Sequence, residues 1–87
     1  MMTLTTAQYT VGTAAVQIVQ PDDMPQRVTV HNNESAQQVF LGNASVGTAT
    51  GVHLDGKEER QITLNPGESL FAVSGGSYSI SVMIQTQ

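Results

Sequence analysis

The chain has no cysteine and no tryptophan, and among its 87 residues only Arg27, Lys57 and Arg60 are basic. Each scarcity removes something. Without cysteine no disulfide can staple a small core, and two histidines alone make no His/Cys cluster for a structural zinc. Three cations against seven acidic residues leave a formal charge of −4. That sign opposes approach to phosphates and keeps the counterion-release gain small, so no nucleic-acid partner is expected. A polybasic membrane patch is missing for the same reason. Uninterrupted apolar runs reach only four residues, Leu70 to Val73, where a spanning helix needs roughly 20; no membrane partner is expected either. The opening residues, Met1 to Thr6, carry neither a basic region nor a long apolar stretch, so a secretory leader is not expected.

What is present is a ladder of short alternating segments punctuated by Gly, Asn and Pro, the pattern of half-buried strands. Residues 1–20 read as an N-terminal arm and a first strand, with Met1 to Thr10 either a free arm or an additional edge strand, and Val16 and Ile18 alternating with Gln17 and Val19. Residues 21–87 read as the body of the same single domain. Pro21-Asp22-Asp23-Met24-Pro25 is a loop. Val28 and Val30 share one face of a strand from Gln26 to His31, with Arg27, Thr29 and His31 on the other. Asn32 to Ser35 reads as a hairpin turn returning into a strand from Gln38 to Leu41, with Val39 and Leu41 inward.

Gly42 to Gly51 is a small, polar surface loop tacked down by Val46. Asp55-Gly56 after Val52 and Leu54 is a tight-turn pair. Lys57 to Arg60 reads as a solvated charge cluster before a strand from Gln61 to Leu64. Asn65-Pro66-Gly67 is a turn in which Pro fixes φ and Gly supplies positive φ. Strands from Ser69 to Val73 and from Tyr78 to Ile84 follow, separated by Gly75-Gly76. The expectation is an all-β fold, a single small antiparallel β-sandwich of about seven strands, jelly-roll-like or immunoglobulin-like. A chain this size buries about 60–65% of its unfolded surface, and its apolar residues are mostly small aliphatics. Oligomerisation is the remaining common device for stabilising so thin a core, so a homo-oligomer is expected.

Catalytic, cofactor and metal constellations are not apparent. There is no Gly-x-Ser-x-Gly elbow and no cysteine nucleophile. Asp22-Asp23 lacks the ligand spacing of a calcium loop, and Gly42, Gly47 and Gly51 are followed by no helix and no closing lysine. The reading is therefore no enzyme, no cofactor and no metal. Four residues remain as candidate contact residues. Phe40 and Phe71 each neighbour strand residues that could fill the core; either they point to the opposite face as subunit contacts, or the register is shifted and they are core. His31 and His53 lie on separate strands; gathered around one threefold axis, they would make assembly pH-sensitive.

From about Gln26 to Ile84 the chain resembles small virion proteins of tailed bacteriophages, of the head-decoration or head-fibre type. The resemblance rests on the order Val28-Thr29-Val30-His31-Asn32, Val39-Phe40-Leu41-Gly42, Val46, Thr50-Gly51-Val52-His53-Leu54, Ile62-Thr63-Leu64, Pro66-Gly67-Glu68-Ser69-Leu70-Phe71-Ala72-Val73 and Val82. It implies a protein made in the host cytoplasm that binds the outside of an assembled head, commonly as a homotrimer on the major capsid protein, and stabilises the shell. It carries over no catalytic residue. The competing readings are a carbohydrate- or receptor-binding β-module and a tail or neck component of the same particle.

Overall fold

A computed structural model describes residues 3–86. They form eight strands: β1 (Thr3–Val11), β2 (Val16–Val19), β3 (Gln26–Asn32), β4 (Val39–Gly42), β5 (Val52–Leu54), β6 (Glu59–Leu64), β7 (Leu70–Ser74) and β8 (Tyr78–Thr86). All pairings are antiparallel, in two four-stranded sheets. Sheet one has the order β1-β8-β3-β6 and sheet two the order β2-β7-β4-β5. The all-β sandwich is as expected, with one strand more. That strand is β1, so of the two readings for residues 1–10 the edge strand holds over Thr3–Val11.

The order has a simple origin. β1/β8, β2/β7, β3/β6 and β4/β5 are all hydrogen-bonded pairs, the successive rungs of one long hairpin whose tip is the loop between β4 and β5. Rolling that hairpin up brings β8 against β3 and β7 against β4 and closes a jelly roll. Of the seven connections between the described strands, six cross from one sheet to the other; only β4 to β5 stays within a sheet. The expected hairpin of residues 26–41 is therefore not formed. β3 lies in sheet one and β4 in sheet two, and residues 33–38 arch between them.

The tight turn expected at Asp55-Gly56 forms, the Glu58 N–H donating to the Asp55 carbonyl at 3.0 Å, but it joins β5 to β6 across the sandwich instead of within one sheet. The positive φ there falls on Lys57, at 63°. Gly56 is needed for a different reason: a Cβ would sit 2.5 Å from the carbonyl carbon of Ser35 and 2.8 Å from the Ala36 nitrogen. Two arches cross at that point. At Asn65-Pro66-Gly67 the expected turn forms, with Gly67 at φ 85° and the Glu68 N–H donating to the Asn65 carbonyl at 3.0 Å.

Inward residues follow the period of two. Val28 and Val30 face Ile84 and Val82 across β8, and Val39 and Leu41 face Ser74 and Ala72 across β7. Ile80, Leu54, Leu64 and Leu70 complete the buried layer. In β2 the register shifts between Gln17 and Val19, and this irregularity buries both Ile18 and Val19 instead of alternating them.

Candidate interaction surfaces

Where the inward parity runs on to the strand ends, it meets polar side chains, and these tie the arches down. Asn32, fully buried, follows Val28 and Val30. Its amide nitrogen donates to the carbonyls of Gln37 at 2.7 Å and Leu54 at 3.0 Å, and its oxygen accepts the Glu34 N–H at 3.0 Å. Ser74, buried after Leu70 and Ala72, holds its hydroxyl 2.9 Å from both the Val11 and Gly76 carbonyls. Gln26 donates to the Gln20 carbonyl at 2.8 Å. Arg60 pairs with Val30 on the inward side of β6, half-buried, and reaches the His53 carbonyl at 3.3 Å. It closes the seam between β5 and β6 and is not part of a solvated charge cluster. The sequence reads Asn32 as a turn residue and Arg60 as a solvated charge, and gives Gln26 and Ser74 no buried role, yet extending the alternation two residues beyond each apolar pair finds all four.

The outward parity builds two faces of different character. On sheet two, Phe40 stands between His53 of β5 and Val73 of β7, while Phe71 lies opposite Gly42 and Gln17. Three of the four candidate contact residues thus share one outer face, and both phenylalanines are outward, half-buried side chains. Val73 is only 4% exposed although it points away from the core. The loop between β4 and β5 folds back toward this face and explains the glycines around it. A Cβ on Gly42 would lie 2.7 Å from Val46 Cγ2, and one on Gly51 would lie 2.8 Å from both Val46 Cγ2 and Phe40 Cβ. The loop is held by two turns, Val46 N–H to Asn43 O at 2.9 Å and Gly51 N–H to Gly47 O at 2.9 Å. Val46 tacks it down as expected.

On sheet one the outer face is bare and mostly polar, with Leu4 and Met83 exposed on it. His31 pairs with Glu59 on one side and Ser81 on the other, and Ser81 in turn with Gln8. His31 Nδ1 lies 2.8 Å from Asn33 Oδ1, and Asn33 Nδ2 donates to Ser79 Oγ at 3.1 Å and Ser81 Oγ at 3.0 Å. Because the Asn33 nitrogen is spent on the serines, its oxygen faces His31 and accepts from Nδ1. The Ser81 hydroxyl bonds Asn33 Oδ1 at 3.2 Å, so in this geometry the imidazole is not its base. A shallow depression of about 270 Å³ opens beside this network, between Thr6, Gln8, Thr29 and Met83. His31 and His53 occupy opposite outer faces of the sandwich, so one axis cannot gather both imidazoles.

Asp22 is used locally: its Oδ1 accepts the Met24 N–H at 3.0 Å and its carbonyl accepts the Gly67 N–H at 2.8 Å. Among the described residues no group of three or more His, Cys, Asp or Glu side chains is placed to hold a metal ion, and no helix is long and apolar enough to cross a membrane.

No protein-family model matches the chain, and no curated protein matches it in sequence. A solved structure shares its fold. A protein from the work titled "Bacillus endospore appendages form a novel family of disulfide-linked pili" aligns with a TM-score of 0.62 at 9% identity, over 100% of this chain and 87% of the other. The Aeromonas hydrophila protein PliG, a periplasmic inhibitor of g-type lysozyme, aligns at 0.49 with 13% identity, over 99% of this chain and 86% of the other. At 9% identity the likeness to the first is one of fold alone.

Proposed function

We propose that this protein is a structural subunit of a tailed-phage particle, binding the outer surface of the head as an oligomer and bridging neighbouring copies of the major capsid protein. The observation that carries the reading is the division of labour among its polar residues. Buried Asn32, Ser74 and Gln26 are consumed in tying arches, Arg60 keeps a buried Nε without a partner, and the polar residues on the two broad outer faces form patches rather than an enclosed pocket. A chain so organised offers surface, and surface repeated by symmetry converts weak contacts into lasting attachment. The order of strands and turns that resembles head-decoration proteins supports the same reading. So does the pilus protein of the same fold, which is itself an assembly subunit. Having no cysteine, this chain would assemble without the disulfide links named for those pili.

A carbohydrate site built on Tyr9 or Tyr78 finds less support, because both rings pack against the core cluster. The deciding experiment mixes the purified protein with undecorated heads and, separately, with tails. Stoichiometric, symmetric density on the head shell is expected. Density confined to tails or neck moves the protein elsewhere on the particle, and binding to neither sinks the proposal.

A further inference from the structure

A two-sheet sandwich has four edge strands, and here three are blunted. β2 has four residues and an irregular register; β5 has three residues. β6 carries Glu59 and Arg60, and Arg60 ties it to β5. β1 is the exception. It runs nine residues in unbroken register with β8, from Thr3↔Thr86 to Val11↔Tyr78, and contains no charge, no proline and no glycine. Natural proteins blunt the edges they do not use, with short strands, bulges, charges or proline. A long, regular, uncharged edge left open is a template for strand addition.

We infer that β1 pairs antiparallel with β1 of a second copy of this chain, fusing two copies of sheet one into a continuous eight-stranded sheet of order β6-β3-β8-β1-β1-β8-β3-β6. Two observations name the occupant. Antiparallel self-pairing closes on a two-fold axis, so residue i of one β1 meets residue j of the other and j meets i, all drawn from the same nine residues. Such a contact tolerates no like charges, and Thr3–Val11 has none. Pairing of β1 with a different edge of the next copy would need a second unblunted strand, and the described residues offer none. The pairing also gains apolar cover. Leu4 is 60% exposed on the outer face of β1, and Met83, 40% exposed, stands opposite Thr6 on the same face. A partner strand lies directly beside Leu4, while Met83, on β8, stays one strand further in.

The inference is tested without any capsid, so its failure and that of the shell-binding reading are separable. The full chain is sedimented over a range of micromolar concentrations, beside a Thr6→Lys/Gln8→Lys variant and a Thr63→Lys control on the opposite edge of the same sheet. Thr6, Gln8 and Thr63 are all exposed, so the monomer accommodates each change. The wild type and the control are expected to sediment as dimers, and the double variant at half that mass with the β circular dichroism retained. Proline at Thr6 or at Ala7 adds an independent check. Consecutive N–H groups point to opposite sides of a strand, so one of the two variants keeps its β1–β8 ladder and sediments as a monomer. A wild-type monomer or trimer overturns the inference, as does a dimer that survives both lysines or one that the control lysine also dissociates.

Discussion

The two outer faces of this sandwich are built on opposite plans. Sheet one is made of long strands, nine residues in β1 and β8 and seven in β3, and its face is bare, held flat by continuous ladders and a side-chain network around Asn33. Sheet two is made of strands of three to five residues, and its apolar face, with Phe40 and Val73, is partly roofed by the loop between β4 and β5. Long ladders make a face that needs no cover and can stay regular; short ones leave apolar residues outside, which the chain shields locally. The first plan suits a platform, the second a mount for a variable loop.

The sharpest test of the comparison removes the joint that keeps the two plans together. Asn32→Ala strips buried partners from the Gln37 and Leu54 carbonyls and from the Glu34 N–H. With about 1 kcal/mol or more for each buried group left unpaired, stability should fall by about 3 kcal/mol. In a domain of this size that lowers the melting temperature by roughly 15 °C. A melting curve within a few degrees of the wild type would show that the arches hold without this amide.

Gly51→Ala attacks the roof alone. Its Cβ meets Val46 and Phe40 at 2.8 Å, so a loss of about 2 kcal/mol is expected, together with faster chymotryptic cleavage after Phe40 as the loop lifts. Unchanged cleavage would mean that the loop does not shield this face. Gly42→Ala sharpens the same point, because its clash is with Val46 alone. In a Val46→Ala background its cost should shrink by about 0.5 kcal/mol or more, read as a double-mutant coupling. Additive effects would separate the two residues. The smallest effect belongs to the bare face. Asn33→Ala should cost about 1 kcal/mol or less, since its partners are half-exposed hydroxyls and an imidazole that water can serve. The His31 nitrogen resonances should lose the signature of an Nδ1–H donated to Asn33, while amide exchange in β4 and β7 stays as in the wild type. Accelerated exchange there would show that the two faces are coupled.

Much of this was legible in the chain, and the boundary of legibility has a physical cause. Alternation alone placed Val28, Val30, Val39, Leu41, Ile80 and Val82 inside, because side chains on a strand switch faces at every residue whatever the strand pairs with; whether Phe40 and Phe71 lay outside or in the core it left open, and the structure turns both out. It also marked the turns, the loop held by Val46, and the positive φ at Gly67. Turn chemistry, however, reports only that the chain reverses. Asn32 to Ser35 and Asp55-Gly56 look alike whether the next strand pairs with the last one or arches to the other sheet. Which of these happens is set by long-range packing: Asn32 reaching Leu54, and Gly56 lying against the backbone of Ser35. Only the tertiary structure could therefore decide that the strands wind into a jelly roll, that His31 and His53 stand on opposite faces, and that Arg60 seals a seam. It alone shows that β1 has a free edge. The sequence by itself determined an all-β sandwich with a known inside and outside; the order of its strands waited on contacts between residues far apart in the chain.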